Sequence, residues 1–360
     1  MITYPFSFIK ESIPPSPTPT PTTTITPTPT LTPTPTPTPS ATPVPLWVAV
    51  GNGSNSFAYS NDGITWSATT NGNSIITDAR SIEWNGSLWV AGGSGTNTLA
   101  YSTNGLVWSG STNGNSLFSQ ITALGWNGSL WVAGGSGTNR LGYSYDGITW
   151  SASTNGNTIF GGSSPSVAGI NWNGTRFVAA GQTATKLAYS DDGITWSAST
   201  NGNTIFVSNA ISVTTNNTRW VVGGSGSTGA RNRLAYSSDG ITWTNSANGN
   251  SIMGAGGVWS VGWDGTRFVA GGFTTPNRLG YSNDGITWSA STNGNTIFQS
   301  FVFGLQSNGS RWVAGGAGGI QTLGYSNDGI TWSGSTNGNS LFTNVYAIGS
   351  KPAPNLFPPR

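Results

Sequence analysis

The chain has 360 residues, of which only 7% are charged, and its 13 basic and 11 acidic residues leave a net charge of +2. A balance this close to neutral gives no basic cluster for nucleic acid and no polybasic segment for an anionic membrane. Because Cys and His are absent, disulfides, thiolate or imidazole metal ligands and a Ser-His-Asp triad are excluded. We therefore expect no cofactor and no nucleic-acid partner, and the lack of a long apolar run predicts no membrane span.

Residues 1–13 ("MITYPFSFIKESI") lack the basic start of a secretory signal, and Lys10 and Glu11 interrupt their short apolar run. We expect this aromatic-containing segment to be an anchor that docks on a particle or a cell-surface protein, or that joins copies of the chain into a homo-oligomer. A location outside the cell then needs another route of exit, and a virion or phage particle is the simplest one.

Residues 14–45 consist almost entirely of Pro and Thr and contain 13 of the 20 prolines. Proline fixes φ and has no N–H, so neither a helix nor a sheet ladder forms in such a segment. The composition predicts an extended polyproline-II stalk, which at about 3.1 Å per residue would reach roughly 100 Å. A disordered linker is the alternative, and the sequence leaves both open.

A nine-residue motif, first seen as "YSNDGITWS" at 59–67, occurs seven times after the stalk. A second marker of the type "WVAG" follows the same period, and the spacing between successive motif tryptophans is 42 to 47 residues. A fixed period of this length is typical of solenoids, propellers and arrays. The motif tryptophans are Trp66, Trp108, Trp150, Trp196, Trp243, Trp288 and Trp332.

The sequence of a complete repeat predicts four short strands, which we name A to D in chain order. In residues 121–153 these are "ITALGW", "SLWVAGG", "RLGYS" and "ITWSAS", separated by Asn-Gly and Asp-Gly turns and a Gly-rich loop. Seven all-β units of four antiparallel strands indicate a seven-bladed β-propeller spanning residues 46–350. The first repeat lacks strand A, and the sequence predicts that Val345–Ile348 supplies it by pairing with Trp47–Val50. Residues 351–360 are then a Pro-rich tail.

The pattern YS-x-DG-x-TW resembles the Asp-box of the BNR repeat family, which occurs in sialidases, sortilin-type receptors and photosystem-II assembly-factor-like propellers. The resemblance covers residues 46–349 and implies the same propeller scaffold; repeats of this style also look like those of phage and virus surface proteins. One departure is that Asp62 and Gly63 are adjacent, whereas the usual box places a residue between them.

The motif carboxylates are expected to stabilise their own turns. Asp accepts hydrogen bonds from nearby backbone N–H groups, and Gly supplies a positive φ. The second motif has Asn104, which keeps the acceptor oxygen without the charge. An acid–base catalyst would not tolerate that change, so we expect a structural role for all seven: Asp62, Asn104, Asp146, Asp192, Asp239, Asp284 and Asp328.

Glycosidase chemistry needs two carboxylates, or a tyrosine nucleophile with a carboxylate partner. Outside the motif, Asp78 and Glu83 belong to one predicted inner strand that approaches the central channel. The sialidases that the motif resembles also need three converging arginines, whereas most arginines here recur at equivalent places in different repeats. We therefore expect the chain not to be an enzyme, with a sialidase-like glycoside hydrolase as a remote alternative.

One face of the propeller carries the B–C and D–A connections, and we call it the loop face. The D–A connections repeat "STNGN[ST][IL]F", and four strands C begin next to a cation. Amides beside aromatic residues can bind sugar hydroxyls and C–H faces, and repetition would add avidity. The alternative is that these residues only shape the loops. The candidate ligand-binding residues are Asn155, Asn157, Asn201, Asn203, Asn293, Asn295, Arg140, Lys186, Arg233 and Arg278.

The sequence as a whole favours an extracellular or virion-surface protein that presents a propeller head on a stalk for adhesion, receptor recognition or coating. Its partners would be the particle or cell surface, through residues 1–13, and a glycan or receptor on the loop face. The alternative is a multivalent, lectin-like carbohydrate-binding module of a cellular surface protein.

Overall fold

The computed structural model describes residues 47–161, 167–225 and 232–352, together with Ser12 and residues 14–16. The predicted anchor, stalk and tail fall almost entirely outside these residues, so those domain limits stay predictions. Within the described residues, no helix is long and apolar enough to cross a membrane.

The described residues form seven blades, each a four-stranded antiparallel meander. From the inside outwards, blade 1 contains β28 (Asn344–Ser350), β1 (Trp47–Asn52), β2 (Phe57–Ser60) and β3 (Ser67–Ala68). Blade 2 contains β4 (Asp78–Trp84), β5 (Trp89–Ser94), β6 (Leu99–Ser102) and β7 (Ser109–Gly110). Blade 3 contains β8 (Gln120–Trp126), β9 (Trp131–Ser136), β10 (Leu141–Ser144) and β11 (Ser151–Ala152). Blade 4 contains β12 (Val167–Trp172), β13 (Phe177–Gly181), β14 (Leu187–Ser190) and β15 (Ser197–Ala198).

The remaining three blades have the same order of strands. Blade 5 contains β16 (Asn209–Thr215), β17 (Trp220–Ser225), β18 (Leu234–Ser237) and β19 (Thr244–Asn245). Blade 6 contains β20 (Ala255–Trp263), β21 (Phe268–Thr275), β22 (Leu279–Ser282) and β23 (Ser289–Ala290). Blade 7 contains β24 (Phe301–Ser307), β25 (Trp312–Ala317), β26 (Leu323–Ser326) and β27 (Ser333–Gly334). The predicted all-β propeller is confirmed.

The ring is closed by the last strand of the chain. β28 pairs antiparallel with β1 so that Ala49 lies opposite Ile348 and Val50 opposite Ala347, which confirms the predicted pairing. The inner strands contact one another in sequence around the ring, and β28 contacts both β24 and β4. Closure in this way removes the exposed strand edges that an open array would leave at its two ends.

The core lies between the blades. Strand B is buried along almost its whole length, as in β5 and β9, because its two faces pack against different neighbouring blades. Val48 of β1, for example, belongs to the same apolar cluster as Trp89 and Trp108 of blade 2. Trp89 and Trp108 are at most 1% exposed. Each motif tryptophan therefore contributes apolar surface to the joint between blades.

The described parts of the D–A connections contain seven short helices, where the sequence predicted only loops. Six of them are single turns that begin at the glycine of the "NG" pair, and a helix this short has little stability of its own. In the connection after blade 3, a Cβ on Gly156 would lie 2.8 Å from Leu141 Cβ, so the helix packs closely against strand C. The helices are α1 (Gly72–Ile75), α2 (Gly114–Leu117), α3 (Gly156–Ile159), α4 (Gly202–Ile205), α5 (Ala247–Met253), α6 (Gly294–Ile297) and α7 (Gly338–Leu341).

Candidate functional site

The face of the propeller opposite the loop face carries the A–B and C–D turns, and we call it the turn face. The repeated motif forms a self-contained turn on this turn face. In blade 3, Oδ1 of Asp146 accepts hydrogen bonds from the N–H groups of Ile148 and Thr149, both at 2.8 Å. It also accepts the Ser144 hydroxyl at 2.9 Å. Gly147 has φ +73, a conformation that glycine adopts without strain.

These hydrogen bonds explain the acidity of the motif carboxyl. Partial burial of Asp146 opposes ionisation, but the N–H groups of Thr149 and Ile148 and the Ser144 hydroxyl stabilise the carboxylate, and its pKa lies below the ordinary value. The pKa is lowered in the same way at Asp62, Asp192, Asp239, Asp284 and Asp328.

The uncharged motif keeps the same geometry. Oδ1 of Asn104 accepts the N–H groups of Leu106 at 2.8 Å and Val107 at 3.0 Å, and the Ser102 hydroxyl at 3.1 Å. The turn therefore depends on an acceptor oxygen at this position, and its geometry does not require the negative charge.

The first asparagine of the D–A connection joins one blade to the next. Nδ2 of Asn155 donates to the carbonyl of Trp196 at 2.8 Å, and Oδ1 accepts the Trp196 N–H at 2.9 Å. Asn201 makes the same pair of bonds to Trp243, both at 2.9 Å. Asn293 differs, because its φ of +64 turns the loop and the Trp332 N–H bonds to the Thr292 carbonyl instead.

The second asparagine stabilises the B–C loop of its own blade. Oδ1 of Asn157 accepts the N–H of Arg140 at 2.9 Å, and Nδ2 donates to the carbonyl of Thr138 at 2.9 Å. Asn203 accepts the N–H of Lys186 and Asn295 that of Arg278 in the same way. The structure therefore gives these predicted ligand residues defined hydrogen bonds within the protein, and a ligand-binding role for them stays a prediction.

The four predicted cations lie on the loop face in consecutive blades. Nη1 of Arg140 donates to the Gly137 carbonyl at 2.7 Å, and Lys186 donates to the Thr183 carbonyl. Arg278 donates to the Gln299 carbonyl. Arg233 is only 9% exposed, so it is the least accessible of the four. Burial lowers the pKa of Lys186 and of Arg278.

A feature absent from the sequence predictions lies at the mouth of the central channel on the loop face. The pairing of every inner strand with strand B shifts by one residue near its start, which is a β-bulge. Bulges redirect a side chain and often occur beside binding sites. We call the seven bulged residues the bulge ring: Arg80, Thr122, Ala168, Ile211, Trp259, Phe303 and Tyr346.

The bulge ring is aromatic on one side. Trp259, Phe303 and Tyr346 come from blades 6, 7 and 1, with ring centroids 5.6 Å apart for the first pair and 5.3 Å for the second. Phe301 stacks on Phe303 at 4.9 Å, and Phe273 stacks on Phe301 at 4.6 Å. Phe273 is 44% exposed. These five side chains form a continuous wall, which we call the aromatic arc.

A polar network continues from the end of the aromatic arc into blade 2. Arg80 lies over the Tyr346 ring at 4.3 Å, and its Nε and Nη2 donate to Oδ2 of Asp78 at 2.9 and 2.7 Å. Nδ2 of Asn52 lies 3.3 Å from Oδ1 of Asp78 and 3.2 Å from the Tyr346 hydroxyl. Asn344 donates to Oδ1 of Asn52 at 2.8 Å. Carboxylate, guanidinium, amide and phenol groups therefore meet where the ring closes.

Below the mouth, the channel contains a cavity of about 160 Å³ lined by residues from all seven inner strands. Thr122 and Ala168 leave space opposite the aromatic arc, because both side chains are small. Two residues after each member of the bulge ring, every inner strand has an aliphatic residue that is 5 to 7% exposed, and these seven residues form a second ring. They are Ile82, Leu124, Ile170, Val213, Val261, Leu305 and Ile348.

The sequence analysis missed the aromatic arc because it considered what the repeats share and did not consider where individual inner strands differ. The bulged residue of the inner strand is Thr, Ala or Ile in blades 3 to 5, but aromatic in the next three blades. Trp259 was the one tryptophan outside the repeated positions. A comparison of the inner strands position by position would have shown this change.

Comparisons with known proteins support the fold. No protein-family model matches the sequence, and no curated protein matches it. A structure of YCF48 bound to D1 peptide is 14% identical, with a TM-score of 0.53, over 84% of this chain and 89% of that one. The GH74 xyloglucanase of Xanthomonas campestris is 13% identical, with a TM-score of 0.56, over 79% of this chain and 52% of that one.

A third neighbour is the GH74 enzyme of Niastella koreensis, which is 20% identical with a TM-score of 0.50. That match covers 72% of this chain and 37% of the enzyme, so this chain spans little more than a third of its length. Identities this low show the fold alone. The chain is a β-propeller and a repeat protein.

These neighbours correct one prediction. The expectation that the chain is not an enzyme is wrong as an exclusion, because two of these three propellers are named as GH74 enzymes and the fold therefore does not exclude catalysis. The proposed carboxylate pair is also placed differently from expectation. Asp78 and Glu83 lie five residues apart on β4, about 16 Å at 3.3 Å per residue, so only Asp78 reaches the channel mouth.

Proposed function

We propose that this chain presents a carbohydrate-binding propeller on a Pro/Thr-rich stalk at the surface of a particle or cell, where it serves adhesion or receptor recognition. The observation that carries the binding proposal is the aromatic arc beside the Arg80–Asp78 network. The seven motifs would be Asp-boxes of the BNR type, acting as fasteners of the blades that hold this site.

The chemistry of the channel mouth suits a sugar. Aromatic faces pack against the C–H face of a pyranose, while neighbouring polar side chains bind its hydroxyl groups and determine its orientation. Trp259, Phe303 and Tyr346 supply the first element, and Asp78, with Asn52, supplies the second. A cavity of about 160 Å³ favours entry of one sugar unit over enclosure of a longer chain.

The stalk supports presentation at a distance. Thirteen prolines between residues 14 and 45 favour an extended segment, which suits a stalk that connects an anchor at residues 1–13 to the propeller in the sequence. Attachment to a virion or phage particle remains part of the proposal and is supported by the sequence of these segments alone.

The proposal is tested with the full chain on a glycan array, followed by calorimetry of the best ligand. The variant Trp259→Ile places in β20 the residue type that β16 has at its bulge, Ile211. It should weaken glycan binding at least tenfold and change the melting temperature by no more than a few degrees. Tyr145→Ala is the matched control, since Tyr145 is an aromatic residue on the turn face that is 70% exposed.

Equal loss of binding in the Trp259 and Tyr145 variants would contradict a site at the channel mouth. Binding of no glycan by the wild-type chain would contradict a carbohydrate ligand altogether. Mass spectrometry of purified particles for this chain tests the location independently.

A further inference from the structure

The fold separates the charges of this nearly neutral chain onto two faces. Among the residues that the structure describes, the loop face has one acidic side chain, Asp78, and five cationic ones. The turn face carries the motif carboxylates together with Glu83, Asp191 and Asp264, against five cations. The loop-face cations are Arg80, Arg140, Lys186, Arg233 and Arg278. The turn-face cations are Arg176, Arg219, Arg267, Arg311 and Lys351.

Four of the loop-face cations share one position in consecutive blades, directly before strand C of blades 3 to 6. We call Arg140, Lys186, Arg233 and Arg278 the cation arc. The corresponding residues of blades 1, 2 and 7 are Ser56, Thr98 and Thr322. The cation arc therefore occupies one side of the loop face, with Arg140, Lys186 and Arg278 partly exposed and Arg233 buried.

The fold does not require a cation at this position. In each blade the backbone N–H of this residue donates to an asparagine Oδ1, at 2.9 Å for Arg140 and 2.8 Å for both Thr98 and Thr322. The backbone bond is the same whether the side chain is cationic or a small hydroxyl. This backbone bond therefore does not explain why four consecutive blades carry a cation, although three of these side chains also donate to loop carbonyls.

The cation arc meets the aromatic arc at blade 6. The guanidinium of Arg278 lies 5.2 Å from the centroid of the Phe273 ring, and Phe273 stacks on Phe301. Asp78, the one carboxylate among the described residues of this face, lies at the opposite end of the aromatic arc, where it contacts Arg80. The face therefore offers a neutral, hydrogen-bonding end and a cationic side joined by aromatic rings.

We propose that the loop face binds an acidic oligosaccharide, with the hydroxyl groups of one unit at the channel mouth and carboxylate or sulfate groups along the cation arc. This inference rests on the proposed carbohydrate-binding function and specifies its ligand class. Asp78 is paired with Arg80, so the mouth carries no net charge that would attract a phosphate, which argues for a sugar hydroxyl there over a nucleic-acid backbone.

The test measures binding of the full chain to three probes at 50 and 300 mM NaCl. These are hexagalacturonate, its fully methyl-esterified form, and a thymidine hexanucleotide. Hexagalacturonate should bind about tenfold more tightly than its ester at low salt, and this preference should fall at high salt, because salt screens exposed charges. Dextran sulfate against dextran repeats the comparison with sulfate groups.

The variant Arg140→Thr/Lys186→Thr/Arg278→Thr introduces the residue that blades 2 and 7 already have at this position. It should lose roughly 3- to 100-fold in affinity for the acidic probes, as expected for three ion pairs at the protein surface, and little for the neutral ones. The control Arg176→Leu/Arg219→Leu/Arg267→Leu removes the same charge from the turn face, where blades 2 and 3 have Leu88 and Leu130. If the control does not fold, Arg219→Leu is compared with Arg140→Thr.

Each other result overturns the inference. Equal binding of acid and ester, or equal loss in both variants, would refute an acidic ligand but leave a carbohydrate site standing. If a neutral glycan binds but neither acidic probe does, the acidic ligand is likewise refuted and the carbohydrate site still stands. Tighter binding of the hexanucleotide would replace the sugar by nucleic acid, and failure of every glycan would refute the proposed function itself.

Discussion

Asn155 offers a direct test of how the blades are held together, because it was also a predicted ligand residue. Replacing it by Ala removes two hydrogen bonds to the backbone of Trp196, at 2.8 and 2.9 Å, across the joint between blades 3 and 4. Trp196 is 1% exposed, so water replaces these bonds poorly. At about 0.5 to 1.5 kcal/mol per bond, the free energy of unfolding should fall by about 1 to 3 kcal/mol.

The control comes from the chain itself. Asn293 occupies the same place in the connection after blade 6, but the Trp332 N–H there bonds to the Thr292 carbonyl. Asn293→Gly, which suits the φ of +64, should change the unfolding free energy by less than about 0.5 kcal/mol.

Urea denaturation and thermal melting of both variants measure these differences, and calorimetry with a bound glycan measures affinity. Asn155→Ala should lower the melting temperature by several degrees and leave the affinity unchanged. Unchanged stability with lost affinity would refute the reasoning, since Asn155 would then act on the ligand and not on the joint between blades.

The repeated turn yields two further predictions. Asp146→Asn should lower the free energy of unfolding by less than about 1 kcal/mol at neutral pH, because Asn104 already forms the same turn. Asp146→Ala should lower it by about 1 to 2 kcal/mol, because the acceptor oxygen is lost. Equally large losses for the two variants on urea denaturation would show that the charge matters more than the acceptor. The lowered pKa of Asp146 and its five counterparts means that their stabilisation is fully present above the unfolded-state value of 3.8 and is lost as the pH falls through the lower folded-state pKa. Wild-type protein should therefore lose stability below about pH 4 in urea titrations. Replacing all six motif Asp by Asn should flatten that pH dependence. If the variant lost as much stability below about pH 4 as the wild type, the motif carboxyls would not be the cause.

Local patterns predicted most of the architecture. The Asn-Gly pair after strand A forms the expected hairpin, with Gly128 at φ +100 and the Asn127 N–H bonded to the Leu130 carbonyl. The same pair in the D–A connection was harder to interpret. There Asn155 contacts a tryptophan 41 residues later and Gly156 starts a helical turn, because packing against the next blade, and not the pair itself, determines the conformation.

The candidate site was predicted only in part. The choice of the loop face for ligand binding stays a prediction, and the amides placed there proved to bond within the protein. Trp259 and Phe303 were not recognised, because a one-residue bulge determines which side chain of an inner strand points to the channel. No spacing rule in a single strand reveals such a shift.

The sequence by itself determined the number of repeats, the turn chemistry, the four strands of each blade and the closing partner of β1. These properties depend on periodicity and on contacts between residues close in the chain. Only the tertiary structure decided which residues line the channel mouth and how the charges divide between the two faces. Closing the ring brings the bulged residues of seven distant strands to one circle, and it places alternate connections at opposite ends of every blade.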